Sequence, residues 1–254
     1  MLSRFSRVVF LLVAGTSLGY SELVPVSLSG WNQDVIAENT AVNPLTGTTS
    51  DAGAGWVWYE SGAPNAPGGS PGLPVSGSFV SAVNAAVTFQ FQNYTAENVL
   101  FGGSASTATL TAAGTNAYTS LAFLTSCQGS CGFAPTLHFA DGSTQALGST
   151  SDPDWTSGGQ SNVALAHAGL LLRSTSWSGY YSGTLNMYEH DFTVAAIDQS
   201  KAVTSISFAL TGNEMIFAVS GAQGAVAAAP EPSTFCFLAG GLAVLLLVRF
   251  REAA

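Results

Sequence analysis

Residues 87–92 read Val87-Thr88-Phe89-Gln90-Phe91-Gln92, and apolar side chains alternate with polar ones along them. A period of two residues is typical of a β-strand that buries one face. The same alternation recurs over residues 206–210, whereas residues 121–124 are apolar throughout, which indicates a strand covered on both faces. Polar turn residues separate these runs, and no amphipathic helix lies between them. The sequence therefore predicts an all-β fold, an antiparallel β-sandwich of jelly-roll type.

The region before residue 87 is less regular. Residues 61–78 contain four Pro and five Gly, which predicts a stiff surface loop within one domain. The alternative is a hinge between a small N-terminal sheet and the main sandwich, but residues 21–60 are too few to bury a core alone. After residue 92, turns are predicted at Gly102-Gly103, Asp141-Gly142, Gly158-Gly159 and Thr211-Gly212-Asn213.

The N-terminus has the pattern of a secretory signal peptide over residues 1–19. Arg4 and Arg7 precede an apolar run that ends at Leu18, and Gly19 offers a small residue for cleavage. We therefore expect signal peptidase and the export machinery to handle the chain. The alternative is an N-terminal membrane anchor.

The C-terminus, residues 230–254, combines a short motif, an apolar run over 235–248 and a basic end. The motif and the basic residues are Pro230, Glu231, Pro232, Arg249 and Arg251. This arrangement resembles the PEP-CTERM sorting signal of Gram-negative bacteria, which exosortase-type membrane enzymes recognise. The resemblance implies a short transmembrane helix over 235–248, a transient stay in the inner membrane, and processing by an exosortase-type protease or transpeptidase. Fourteen helical residues span about 21 Å, less than a hydrocarbon core of about 30 Å, so a buried core helix is the alternative by length alone.

Between the two signals we expect a β-sandwich ectodomain over residues 20–220 and a small-residue linker over residues 221–229. Residues 20–229 contain thirteen acids against two cations, Arg173 and Lys201, which gives a net charge near −11. Such a surface repels phosphate backbones, so nucleic-acid binding is excluded as a function class. It is compatible with neutral glycans, or with acidic polymers bridged by divalent cations.

A second resemblance covers residues 90–220 and depends on the order of ordinary strand patterns. The pieces that carry it are residues 93–100, 108–111, 118–124, 137–144, 154–155, 185–189, 203–208 and 216–220. This series resembles the jelly-roll ectodomains of bacterial surface proteins, which are similar to galactose-binding-like modules. It implies a sandwich of nine or ten strands used for binding or display, and it names no ligand.

Cys127 and Cys131 enclose three residues, and disulfides persist in exported proteins. Because a tight loop lets the two Cα atoms approach bridging distance, we predict a disulfide. The alternative, a metal site, needs more ligands than this loop contains. A structural calcium ion is the one cofactor considered, since jelly rolls often hold one with loop oxygens. Its candidate ligands by residue type are Asp51, Asp152 and Asp154.

Catalytic residues are not predicted. Asp152, Asp154, Glu189 and Asp191 could pair for glycoside hydrolysis, but acids are frequent throughout the chain, so we interpret them as solvated carboxylates. The sequence contains no phosphate loop and no nucleotide fingerprint. We therefore expect a protein that is not an enzyme.

Aromatic residues give the best binding signal. Trp177, Tyr180 and Tyr181 lie among Ser and Gly, where exposed rings could stack on sugar faces, although core packing is the alternative. For Trp56 and Trp58 we favour the core. The sequence predicts an exported surface or extracellular-matrix protein of a Gram-negative bacterium, with a structural or adhesive role associated with exopolysaccharide. The alternatives are a glycan binder similar to carbohydrate-binding modules and, behind it, a secreted carbohydrate-active enzyme.

Overall fold

The computed structural model describes residues 21–39, 55–64, 66, 72–103, 106–167, 170–172, 179–181 and 183–225. These residues form strands, turns and irregular segments, with no helix among them, which confirms the all-β prediction. Within these ranges no helix is long and apolar enough to cross a membrane. The predicted signal peptide and sorting tail lie outside the described residues, as do Asp51 and Trp177.

Sixteen strands follow one another in this part of the chain. They are β1 (Val24–Pro25), β2 (Leu28–Ser29), β3 (Ile36–Ala37), β4 (Trp56–Tyr59), β5 (Ser78–Val80), β6 (Thr88–Gln90), β7 (Leu100–Phe101), β8 (Ser106–Ala112), β9 (Ala117–Phe139), β10 (Thr144–Ala146), β11 (Thr150–Asp152), β12 (Val163–His167), β13 (Leu170–Leu172), β14 (Gly179–Tyr181), β15 (Leu185–Thr193) and β16 (Val203–Gly224).

Ten of these strands form one large sheet, in which the order β12-β15-β9-β16-β8-β2 runs from edge to edge. Strands β1 and β7 also pair with β16, and β10 and β11 pair with β9. A second sheet has the order β14-β13-β4-β3, and β5 pairs with β6. Among the described ladders only β3 and β4 run parallel. Strands β1 and β2 belong to the large sheet and β3 and β4 to the second, so residues 21–60 form no separate N-terminal sheet.

Strands β9 and β16 form the central ladder, and this ladder folds back on itself. Phe123 and Phe133 both lie on β9, where ten residues of straight strand would separate them by about 33 Å. Their ring centroids are 5.8 Å apart. Phe123 also meets Phe208 of β16 at 5.7 Å. The two halves of the ladder therefore face each other.

The bend of β16 lies at Gly212, where φ is 64° and the register shifts between Thr211 and Asn213. A side chain at Gly212 would place its Cβ 2.7 Å from the Ser130 carbonyl oxygen. The predicted turn at residues 211–213 is therefore wrong. The left-handed conformation of Gly212 makes a bulge that bends the strand, and pairing with β9 continues on both sides.

Two apolar cores lie on opposite faces of the first half of β9. The curled core, between the two halves of the bent ladder, includes Leu121, Phe123, Phe133, Leu137, Phe208 and Ile216. The inter-sheet core, between β9 and the second sheet, includes Trp58, Phe89, Ala122, Leu124, Leu170 and Phe217. Residues 121–124 thus alternate between the cores, which confirms the prediction of a strand covered on both faces.

Parts of two segments predicted to be irregular, the loop 61–78 and the linker 221–229, belong to the strands and the core. Within the predicted surface loop 61–78, Leu73 is fully buried in the inter-sheet core and forms a parallel bridge with Glu60, because the segment folds back along β4. Ser78 already begins β5. The predicted linker 221–229 starts too early, because β16 continues through Gly224. A side chain at position 221 would be too large, since the Cβ of any other residue there would lie 2.4 Å from the Tyr118 ring.

Candidate functional site

A cleft of about 290 Å³ opens beside the second sheet, at the bend of β9. Strands β4, β13 and β14 each contribute a lining residue, and the others come from the middle of β9 and from the turn after β11. The lining residues are Trp56, Gln128, Asp154, Trp155, Thr156, Leu170 and Tyr181. Segments more than a hundred residues apart in the sequence therefore meet here.

Three aromatic rings shape the cleft. Tyr181 is 39 % exposed, and its ring meets Trp56 edge to face, with centroids 6.2 Å apart. Trp155 is buried and packs edge to face on Trp58 of the inter-sheet core at 5.8 Å. The mouth thus presents an exposed ring, while the floor is fixed to the core.

The rim of the cleft is tied to the disulfide loop. Cys127 and Cys131 form the disulfide that the sequence predicts, with Cα atoms 5.8 Å apart. The Trp155 amide donates to the Cys127 carbonyl at 2.7 Å. The Gly129 amide donates to Oδ2 of Asp154 at 2.7 Å. Closing the loop therefore positions both the acid and the indole that line the cleft.

Asp154 organises the turn at the cleft. Besides Gly129 at Oδ2, its Oδ1 accepts a hydrogen bond from the Thr156 amide at 2.9 Å and another from the Thr156 hydroxyl. Both carboxylate oxygens therefore accept hydrogen bonds from nearby backbone amides, as is usual for Asp in such a turn. This geometry gives no support to Asp154 as a calcium ligand or a catalytic acid.

Asp152 is not the solvated loop carboxylate that the sequence suggests. It lies on β11, is 2 % exposed, and pairs in register with Cys131. Its Oδ2 accepts a hydrogen bond from the Thr125 hydroxyl at 2.5 Å, and its Oδ1 lies 2.6 Å from Nε2 of His190. The Thr150 hydroxyl lies 3.2 Å from the other ring nitrogen of His190. Asp152 thus belongs to a polar cluster with Thr125 and His190, and it does not line the cleft.

The other two candidate carboxylates occupy a different face. Glu189 and Asp191 share one face of β15, and Glu189 is 4 % exposed. Burial, and to a smaller extent the charge of Asp191, raise the pKa of Glu189 to about 7. Burial also raises the pKa of Asp191. Neither residue lines the cleft, so the four predicted carboxylates do not form one hydrolytic pair there.

Glu214 is a residue that the sequence reasoning missed. It lies on β16 opposite Cys127, is fully buried, and its pKa is raised well above the usual value by burial and then by the charge of Asp152. Among the described residues, the group with metal-ligand potential consists of Cys127, Cys131 and Glu214, and in this state both sulfurs are bonded to each other. Only the long-range register of β9 and β16 reveals it.

The predicted sugar-stacking residues are placed unevenly. Tyr181 lines the cleft, and Tyr180 pairs through its backbone with Leu171 in the second sheet. Trp58 is in the core as predicted, whereas Trp56 is only half-buried because the cleft opens over its ring.

Comparison with known proteins gives no family for this chain. A scan against protein-family models finds no match, and a search of the curated proteins finds no significant one. The resemblances to PEP-CTERM tails and to galactose-binding-like modules therefore stay predictions.

Proposed function

We propose that this chain is an exported, non-enzymatic surface or extracellular-matrix protein that holds uncharged carbohydrate of an exopolysaccharide in its aromatic cleft. The bent ten-stranded sheet would then be the jelly-roll-like sandwich that displays this cleft. The observation that carries the proposal is that Tyr181 and Trp56 meet edge to face and line one cleft together with Trp155.

The chemistry of the cleft favours a sugar. Pyranose rings present apolar C–H faces, and a half-exposed aromatic ring gains free energy when such a face covers it. The volume of about 290 Å³ lies at the small end of ligand pockets, which suits one or two sugar units. Gln128 and Thr156 at the rim bring polar groups that can orient hydroxyls.

The charge pattern favours an uncharged ligand. The lining residues in the described part of the chain include no Lys, Arg or His, and Asp154 contributes a carboxylate. Lys201 pairs with Asp141 at 3.3 Å and Asp198 at 2.8 Å. An acidic sugar would therefore meet the negative charge of Asp154, and no cation among the described lining residues would compensate it.

The proposal that the protein is exported and sorted is based on the sequences of its two termini. The N-terminal pattern supports signal peptidase and the export machinery as partners, and the C-terminal motif supports an exosortase-type enzyme in the inner membrane. A disulfide beside the cleft suits the oxidising compartment outside the cytoplasm. The proposed final location is the cell surface or extracellular matrix.

Retention on immobilised polysaccharides tests the proposal. The panel contains neutral glucan, galactan, mannan and xylan, with alginate as the acidic comparison. We expect retention on at least one neutral column, and loss of that retention in Tyr181→Ala and Trp56→Ala. Ile197→Ala is the matched control, because Ile197 is 80 % exposed and does not line the cleft.

Two outcomes would contradict the proposal. One is passage of the wild-type protein through every neutral column. The other is equal retention of the wild type and both cleft variants.

A further inference from the structure

Three ligand atoms meet beneath the disulfide loop. They are the Sγ atoms of Cys127 and Cys131 and one carboxylate oxygen of Glu214, all within 4.8 Å of one another, and all three residues are buried. The β9–β16 ladder fixes this meeting, because Glu214 lies directly opposite Cys127. The loop sequence itself contains only two potential ligands, the cysteines, and the pairing of β9 with β16 brings in Glu214 as the third.

Glu214 is fully buried, and neither of its carboxylate oxygens makes a hydrogen bond of normal geometry. The Asp152 carboxylate and the Met215 amide both lie close enough to interact with it. A buried carboxylate without well-formed hydrogen bonds is costly, and a cation within reach would stabilise it.

We propose that reduction of the disulfide converts Cys127, Cys131 and Glu214 into a binding site for Zn²⁺. Two thiolates and a carboxylate match the ligand preference of this ion, and a fourth position stays open for water. Around a tetrahedral ion with Zn–S bonds of about 2.3 Å, the sulfurs lie roughly 3.8 Å apart. The loop therefore needs only a small opening from its bonded state to admit the ion.

The reduction step balances with a phosphine as the reductant. The phosphine donates two electrons to the disulfide and becomes a phosphine oxide with oxygen from water, whose two protons convert the sulfurs to thiols. On metal binding, each thiol releases its proton to solvent and its sulfur bonds to the ion. The bound cation would then hold the loop closed where the disulfide is absent. This inference does not depend on glycan binding by the cleft.

Cobalt titration of the full chain tests the site. The protein carries Cys236→Ser so that only the loop thiols report, is reduced with a phosphine without oxygen, and receives Co²⁺ as a spectroscopic probe for Zn²⁺. We expect a thiolate-to-cobalt absorption band that saturates at one ion per chain and disappears when Zn²⁺ displaces the probe. The oxidised protein and Cys131→Ser should lack this band.

Glu214→Gln tests the third ligand. The amide has nearly the shape of the neutral acid, so the fold should persist, while Zn²⁺ affinity should fall at least tenfold. The matched control is Glu97→Gln, since Glu97 is exposed and outside the group. Alkylation of Cys127 is a second readout, and Zn²⁺ should slow it in the reduced parent but not in Glu214→Gln.

Absence of the cobalt band from the reduced parent would overturn the proposal. Equal Zn²⁺ affinity of Glu214→Gln and the parent would remove Glu214 from the site and overturn it too. If Glu214→Gln does not fold, the alkylation rate of the parent decides, and a rate that Zn²⁺ leaves unchanged refutes the site.

Discussion

Glu189 should make the stability of this protein depend on pH. Its side chain is 4 % exposed on β15, on the same face as Met187 of the inter-sheet core. Burial is the largest cause that raises its pKa from 4.5 to about 7, and a hydrogen bond from Ser81 opposes the rise. The perturbation is Glu189→Gln, which keeps the shape of the neutral acid and removes the titration.

The sign follows from proton binding. The folded state binds the proton of the Glu189 carboxyl more tightly than the unfolded state does. The stabilisation of the folded state by this protonated carboxyl is therefore fully present below pH 4.5. This stabilisation is lost as the pH rises through about 7. The difference between the two pKa values corresponds to about 3 kcal/mol of the free energy of unfolding, which is an upper bound.

Urea unfolding at pH 4.5 and pH 8 measures the effect in wild type and variant. Between these two pH values, we expect the wild type to lose about 2–3 kcal/mol more than Glu189→Gln. The exposed Glu97→Gln should follow the wild type. Because other buried acids also titrate, only the difference between wild type and variant tests the reasoning. Equal pH dependence of the two would refute it.

Three further predictions concern the bend at Gly212, the curled core and the C-terminal tail. Gly212→Ala should lower the free energy of unfolding by about 1 kcal/mol or more, because φ is 64° and the new Cβ would crowd Ser130. Gly158→Ala, in open space, should be near neutral in the same urea titration, and equal effects would contradict the bulge. Phe123→Ala should lower the free energy of unfolding by about 3–5 kcal/mol, because three aromatic rings of the curled core pack against Phe123. Calorimetric or urea unfolding measures this loss, and a loss below about 1 kcal/mol would mean that the ladder does not fold back. In a host that carries an exosortase, mass spectrometry of the surface-located protein should find no peptide from Phe235 onward, and an intact tail would contradict processing.

Local sequence patterns predict the strands well. The alternation over residues 87–92 indicates a strand with one buried face, and the continuous apolar run over residues 121–124 indicates a strand buried on both faces. The loop that Cys127 and Cys131 close is also local. Gly212 misled the reasoning, because a Gly with positive φ suits a turn and a bulge equally well, and only the partner strand decides between them.

The candidate site was only partly accessible from the sequence. Tyr181 could be proposed from its Ser- and Gly-rich surroundings. Its approach to Trp56 and Trp155 depends on the folding back of β9 and on the pairing of β13 with β4, which no local pattern encodes. Glu214 lies 87 residues from Cys127, and their juxtaposition follows from the register of one long ladder. The periodicity of a sequence does not predict which distant strands pair in this way.

Isothermal titration calorimetry with a neutral oligosaccharide tests the central claim most directly. The ligand is prepared from whichever neutral polysaccharide retains the wild-type protein. We expect one binding site per chain and an affinity about tenfold weaker in Tyr181→Ala, equivalent to roughly 1.4 kcal/mol, while Ile197→Ala matches the wild type. Equal dissociation constants for the wild type and Tyr181→Ala would show that the carbohydrate binds elsewhere, and would contradict the assignment of the cleft.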